Sequence, residues 1–513
     1  MKKWYGLRFA SFLALFTVFT MLFAGYAFTA ETQERTLTIA MNMDMRSVDP
    51  ALVNTGTNFA VLYNVYAGLF RIDVNAVIQN DLAIEYKIVD DTTWEFTMRD
   101  DVYFHNGDKL TAEDMAFALN RVREDATLAQ KVQFDVIEEA TALDATHLRI
   151  KTKRPLPILK NLLAMAGSQA LPKKYIEEKG WPYFLEHPIG CGPYVLESYI
   201  RDDSVTLKPF DKYYGKKNPD WDKIVIRVIP ESTTRVGELL SGNVNIINQV
   251  IPNEWDRIDG NDGTTVFHAK SSRTYMLSLM TSESFPTSNQ KVREAVDYAI
   301  DDKLIVDKIL RGTARVVQTR YPEGLFGSEP SLIDSYNYDP ERAKTLLKEA
   351  GYSDGFEMTF QCSNGSSVMD SEIAQAIAAM LRQVGIKVNL ELLVPSAYND
   401  VYASRTVKDA FMCNFGLGYF DPSYGLNSFS TNYCKGLNNW ADPYFNETFD
   451  AARANMNDGE REQAYRDLQK YVAEQRPYVF ICNITVAYGI QEKLGFTGRM
   501  DDVFDILNIK GTK

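Results

Sequence analysis

Residues 94–122 read WEFTMRDDVYFHNGDKLTAEDMAFALNRV, and this stretch decides the fold. Its opening, Trp94–Met98, alternates inward and outward positions as a half-buried strand does. Thr111, with Asp114 three residues on, opens a helix over AEDMAFALNRVRE, because short oxygen side chains cap exposed backbone N–H groups. A strand followed closely by a capped helix is the texture of a mixed α/β chain. The same alternation extends outward in both directions. Thr36–Met41, Thr146–Lys151, Val205–Pro209 and Lys223–Ile229 read as strands, and Asn58–Phe70 and Thr233–Ser241 as helices. Further on, Thr274–Met280, Ile386–Leu393 and Tyr478–Ala487 read as apolar strands. Val292–Ile300, Asp302–Leu310, Pro340–Ala350, Ile373–Val384 and Glu460–Glu474 read as helices, several stopped by a glycine just past the end. Two lobes with sheet cores accommodate this order.

The N-terminus sets the compartment. Lys2, Lys3 and Arg8 precede an uncharged apolar run from Phe9 to Phe28, and small residues close it before the polar ETQERT. That is the layout of a cleaved secretory signal peptide, with cleavage after Ala27 or Ala30; an uncleaved anchor is the rival reading. Removing residues 1–30 takes three positive charges and no negative ones, moving the formal net charge from −13 to −16. A surface that acidic repels phosphate backbones, so nucleic acid is a poor partner. The mature length calls for two or three domains. No cysteine follows the apolar run closely, so lipid attachment is not expected. The cysteines, Cys191, Cys362, Cys413, Cys434 and Cys482, are odd in number and show no metal-knuckle or redox spacing. The four histidines are far apart, so no metal site is expected.

Phosphate-binding, dinucleotide-binding, serine-hydrolase and metalloprotease motifs are absent. A paired-carboxylate hydrolase remains an open alternative on sequence grounds, as does a sensory or chaperone-like binding protein. The positive signal is a resemblance. Residues 46–70, RSVDPALVNTGTNFAVLYNVYAGLF, together with 94–122, PIGCGPYVL at 188–196, KVREAVDYAIDDKLIVDKILRG at 291–312 and YDPERAKTLLKEAGY at 338–352, resemble the family 5 solute-binding proteins of ABC importers. That family includes dipeptide-, oligopeptide- and nickel-binding proteins. The resemblance implies a two-lobed periplasmic-binding-protein fold (type II, cluster C-like) with an extra subdomain in the first lobe. By analogy the first lobe is 31–70, 188–272 and 482–513, the inserted subdomain 71–187 and the second lobe 273–481, with crossings near Tyr275 and Ile481. It further implies a periplasmic monomer that is not lipid-anchored. Such a protein captures a small solute or peptide, hands it to the permease subunits, and needs no cofactor and no catalytic residue.

The resemblance also points to ligand-contacting segments. Counting from Asp49, a first-lobe loop falls on Asn54, Thr55 and Gly56, where backbone pairing with an extended ligand and an ordinary solvated turn are equally good readings. In the second lobe the segment Asn414–Pro422 supplies Phe415, Gly416, Gly418, Tyr419 and Asp421. Peptide-binding members hold the ligand ammonium with an Asp four residues before that proline; here the position is Gly418. The loop Gln361–Ile373, which includes Asn364, has no Lys or Arg where dipeptide binders hold the ligand carboxylate. Tyr275 joins the candidates from the crossing strand. With both charge anchors missing, a free dipeptide zwitterion is disfavoured. A sugar, a modified peptide or a longer peptide held by its backbone fits better.

Overall fold

A computed structural model describes residues 34–53 and 55–511. The apolar leader and Asn54 therefore lie outside the described residues. Among those described, eleven strands form one sheet that runs through both lobes. Its centre is a pair of long antiparallel strands, Thr264–Leu279 and Tyr478–Gln491. Thr264 faces Gln491 at one end and Ser278 faces Tyr478 at the other. The pairing breaks between Lys270 and Thr274, leaving Ser271, Ser272 and Arg273 bulged out of register. Asn483 repairs the break: its side-chain amide donates to the carbonyls of Ser271 (3.1 Å) and Arg273 (2.8 Å). A bulge whose open carbonyls are met by one side chain is a bend built into the sheet.

On the first-lobe side, Ile246–Ile247, Thr36–Met41, Lys223–Val228, Ser204–Pro209 and Tyr194–Ile200 extend the sheet in that order. Thr36–Met41 runs parallel to both of its neighbours. On the second-lobe side come Ala410–Phe415, Glu357–Ser363 and Lys387–Leu393, the last two parallel to each other. Parallel strands need cover on both faces. In the second lobe one face packs Leu277, Leu279, Phe360 and Ile481 with helices 290–299, 340–349 and 370–383. Phe411, Phe429, Phe445 and Tyr478 fill the other face.

A separate antiparallel sheet, Ala83–Asp90, Thr93–Met98, His147–Thr152 and Ile137–Ala142, carries the helix Ala112–Glu124 on its inner face. Trp94, Phe96, Met115 and Leu119 are buried between them. The Thr111 cap forms as read, with the Thr111 N–H donating to Asp114 at 2.9 Å. His105 ties this module to the PIGCGPY turn. Its Nδ1 accepts from the Gly190 N–H (3.2 Å), and its Nε2–H donates to the Gly192 carbonyl (3.1 Å).

The helix expected over 58–70 ends early, spanning Gly56–Leu62. The carbonyls of Asn64 and Val65 are claimed by the N–H groups of Tyr194 and Gly192 instead of by the next helical turn. A Cβ at Gly190 would sit 2.1 Å from the Val65 oxygen, so only glycine permits that approach. The crossing strand expected at Thr274 begins ten residues sooner, because its first half is too polar for an apolar reading.

Candidate functional site

Strand direction locates the site. Tyr478–Gln491 runs from the second lobe into the first, and Thr264–Leu279 runs back. Thr36–Met41 therefore points toward the second lobe, and Ala410–Phe415 and Glu357–Ser363 point toward the first. The carboxyl ends of the inner strands thus meet at the lobe junction. Ligands of open α/β sheets bind beyond such ends.

The second-lobe loop after Phe415 is held from several sides. The Leu417 N–H donates to Ser272 Oγ of the sheet bulge at 3.0 Å. Arg320 Nη2 donates to the Gly416 carbonyl at 3.0 Å, and the Tyr321 hydroxyl donates to the Phe420 carbonyl at 2.8 Å. Asp421 caps the following helix by accepting from the Ser423 N–H (2.9 Å) and pairs with Arg461 at 2.6 Å. Both members of that pair are buried. Asp421 is thus spent within the protein and is not the replacement ammonium anchor, correcting its place among the solute-contacting candidates.

Gly418 does more than lack an acid. A Cβ there would approach the Tyr424 ring to 3.0 Å, so the ring of Tyr424 occupies the side-chain space of this position. Tyr419 stands edge-on to the same ring, with centroids 5.0 Å apart. Tyr419 also reaches the inserted module: its hydroxyl donates to Gln133 Oε1 (2.5 Å) and its carbonyl accepts from Asn161 Nδ2 (2.8 Å). Burial pushes the Tyr419 phenol well above its ordinary pKa, so it stays a neutral donor. Leu417 and Phe420 pack with Tyr321, Leu128 and Leu159 in one continuous core, so the second-lobe loop and the module touch in this structure. Phe415 is half-buried against Tyr402 (5.1 Å).

The loop after Ser363 is organised by an internal anion. The Asp370 carboxylate accepts from the N–H groups of Gly365 (2.9 Å), Ser366 (2.9 Å), Ser367 (3.0 Å) and Ser371 (2.8 Å), and from the Ser363 hydroxyl. Successive amides converging on one point form an anion-binding nest, and here the protein fills it itself. Asn364 is exposed on this loop, with its N–H bonded to the Leu393 carbonyl at 2.8 Å. Tyr275 is 1% exposed and donates to the Val368 carbonyl at 2.7 Å, so it supports the loop from below and does not face a solute.

On the first-lobe side Thr55 caps its helix through Asn58, and Gly56 is exposed with open space where a Cβ would stand. The Asp49-Pro50 turn is structural: Asp49 is buried and pairs with Arg121 at 2.5 Å. The candidates therefore divide. Phe415, Gly416, Gly418 and Tyr419 share one loop at the junction, whereas among the described residues the Thr55 side chain bonds to Asn58 at its own helix start. Sequence reasoning missed Gln133, Asn161, Arg320, Asp370 and Arg461. Only Asp370 left a local sign, as an acid at the head of an amphipathic helix.

The model of the bacterial extracellular solute-binding proteins, family 5, middle region, matches residues 77–436. The chain belongs to this family. The glutathione-binding protein GsiB of Shigella flexneri is 26% identical over 477 residues, covering 90% of each chain. Among solved structures, HbpA2 of Haemophilus parasuis superposes with a TM-score of 0.82 at 20% identity, over 93% of this chain and 100% of the other. DppA of Helicobacter pylori, in complex with the peptide STSA, gives 0.76 at 24% identity over 94% and 100%. These matches show the two-lobed periplasmic-binding-protein fold. Family members are periplasmic binding proteins of ABC importers. Among the described residues no helix is long and apolar enough to cross a membrane, and no group of three His, Cys, Asp or Glu is placed to hold a metal.

Proposed function

We propose that this family 5 member is the solute receptor of an ABC importer and carries no catalysis of its own. It binds a small polar or peptide-like solute between its lobes and presents the closed form to the permease. The observation that carries this reading is the convergence of inner-strand carboxyl ends and two preorganised loops on a junction beside a bulged pair of crossing strands. Closure about that bulge gives the solute a state it can select, and only differential affinity for the two states shifts their balance. The lobe division supporting it is 31–70, 188–272 and 482–513 against 273–481, with 71–187 inserted. Further parts of the proposal are cleavage of the leader after Ala27 or Ala30, release as an unlipidated monomer into the periplasm, and no nucleic-acid partner. Asn54, Thr55, Gly56, Asn364, Phe415, Gly416, Gly418 and Tyr419 form the proposed solute-facing set.

Unmodified dipeptides bind weakly in this reading. Gly418 supplies no carboxylate, and the N–H groups of Gly365, Ser366, Ser367 and Ser371 already hold Asp370. Each buried charge left unpaired costs several kcal/mol, and about 1.4 kcal/mol is tenfold in affinity. The test is thermal denaturation against solute panels, with mass spectrometry of whatever the native protein releases on denaturation. A receptor is stabilised by its solute and returns it unchanged; turnover of the solute, or sub-micromolar binding of free dipeptides, contradicts the proposal.

A further inference from the structure

Buried arginines in this protein fall into two groups. Arg461 and Arg499 face carboxylates, each at 2.6 Å. Arg235 and Arg293 face none and donate to backbone carbonyls, three bonds for the first, whose Nε has no partner, and four for the second. Arg320 also faces no carboxylate and makes fewer carbonyl bonds than either, two in all. It is 5% exposed and meets the Gly416 carbonyl at 3.0 Å and the Gly425 carbonyl at only 3.5 Å; its Nε has no partner. A guanidinium carries five N–H donors, so most of this one's capacity is unspent in a place where desolvation is costly.

Among the described residues no carboxylate pairs with it. The Phe415 ring lies 5.8 Å from the guanidinium carbon. Beyond it the Tyr402 and Tyr433 rings carry a second cation, Arg405, on their faces at 5.9 and 5.4 Å. Of the acids in 361–373 and 414–422, Asp421 is committed to Arg461 and Asp370 to its ring of amides, while Glu372 stands exposed on the helix and accepts from the Ser371 hydroxyl. Among the described residues the two loops are therefore left with one underused buried cation beneath Gly416 and with no buried carboxylate free of a partner.

We infer that the solute presents an anionic group, of carboxylate type, to Arg320 and brings no free ammonium. This inference rests on the solute-capture reading above and adds the charge class of the solute. A planar anion can take two guanidinium N–H bonds at once, which meets the unspent donors. An ammonium would find only committed acids and a neighbouring cation. Arg320 also steadies the Gly416 end of the loop, so the anion and the loop geometry are read by one side chain.

The test screens the leaderless protein by thermal shift against three matched sets of metabolite-sized probes: carboxylates without amines, their uncharged amides, and their amine-bearing counterparts. The expected result is stabilisation by members of the first set, lost in the matching amides. For such a hit, Arg320→Gln should lower affinity about 30-fold or more, the usual scale for truncating one side of a buried charged pair. Arg320→Lys, which keeps the charge but loses the fork, should recover part of it. Stabilisation by amides or amines, or an unchanged affinity in folded Arg320→Gln, overturns the inference and leaves solute capture standing. Should Arg320→Gln fail to fold, the wild-type comparison of acid with amide and Arg320→Lys still decide it. No stabilisation by any set overturns the solute-capture reading itself and the inference with it.

Discussion

Replacing Tyr419 by Phe removes one oxygen and tests lobe closure directly. The hydroxyl donates to Gln133 of the inserted module, and the carbonyl of the same residue accepts from Asn161. Both bonds join parts of the chain that must separate when the junction opens. An intramolecular hydrogen bond contributes a net of about 0.5–1.5 kcal/mol. Its loss should therefore shift the closed-to-open ratio, and the dissociation constant of the co-purified solute, by about 2- to 13-fold. The change belongs in the dissociation rate, because the bond exists only after closure. Closure can be followed with a dye pair on cysteines introduced at the lobe surfaces. The native thiols do not compete: all five are buried, and burial pushes those of Cys413 and Cys434 up to about 12. Asn161→Ala should act in the same direction, with non-additive coupling to Tyr419→Phe because they share one residue. An unchanged dissociation rate and an unchanged closed fraction in Tyr419→Phe would refute the reasoning. An equal loss of melting temperature with and without solute would show instead that the bond serves the fold.

Asp421→Asn should leave Arg461 with only the exposed Asp458 carboxylate, 2.8 Å away, and cost about 1.5–3 kcal/mol, a fall in melting temperature of about 1.5–3 °C for a chain of this size; calorimetric melting checks it. Gly418→Asp should displace the Tyr424 ring, weaken binding of the native solute, and create no dipeptide affinity; titration calorimetry with both probes decides between displacement and a new anchor. His105 should make the protein acid-sensitive. Burial lowers its pKa from 6.5 to about 4, so the folded state binds fewer protons than the unfolded one between those values. Stability is then full above about pH 6.5 and falls as the pH drops toward 4. His105→Gln should flatten that stretch of the melting-temperature profile.

Much of the fold was legible because its signals are local. The Thr111–Asp114 cap, the glycine stops and the apolar strands near 274 and 478 each follow from a few neighbouring residues. The helix over 58–70 was overestimated because its end is set by a distant turn. Gly190 and Gly192 take Val65 out of the helix by backbone contact, and nothing near residue 65 announces it. The site was legible to a smaller degree. The absent charges at Gly418 and in 361–373 can be read directly, whereas the ring that fills one position and the carboxylate that fills the other cannot. Arg320 and Arg461 lie about a hundred and forty residue numbers apart, yet both fasten the same loop, and such convergence has no local trace.

The broken register at Ser271–Arg273 links the bend to the binding loop. Ser272 holds the Leu417 N–H, so the residue about which the sheet flexes and the loop that faces the other lobe share one bond. A rotation at the bulge cannot leave Leu417 where it was, and a pull on Leu417 cannot leave the bulge at rest. The loop is in effect the short arm of a lever whose fulcrum is the bulge and whose long arm is the whole opposite lobe. If the lobes close about this bulge as proposed, a small shift at the solute is enlarged toward the rim of the opposite lobe, where a membrane partner would sense it.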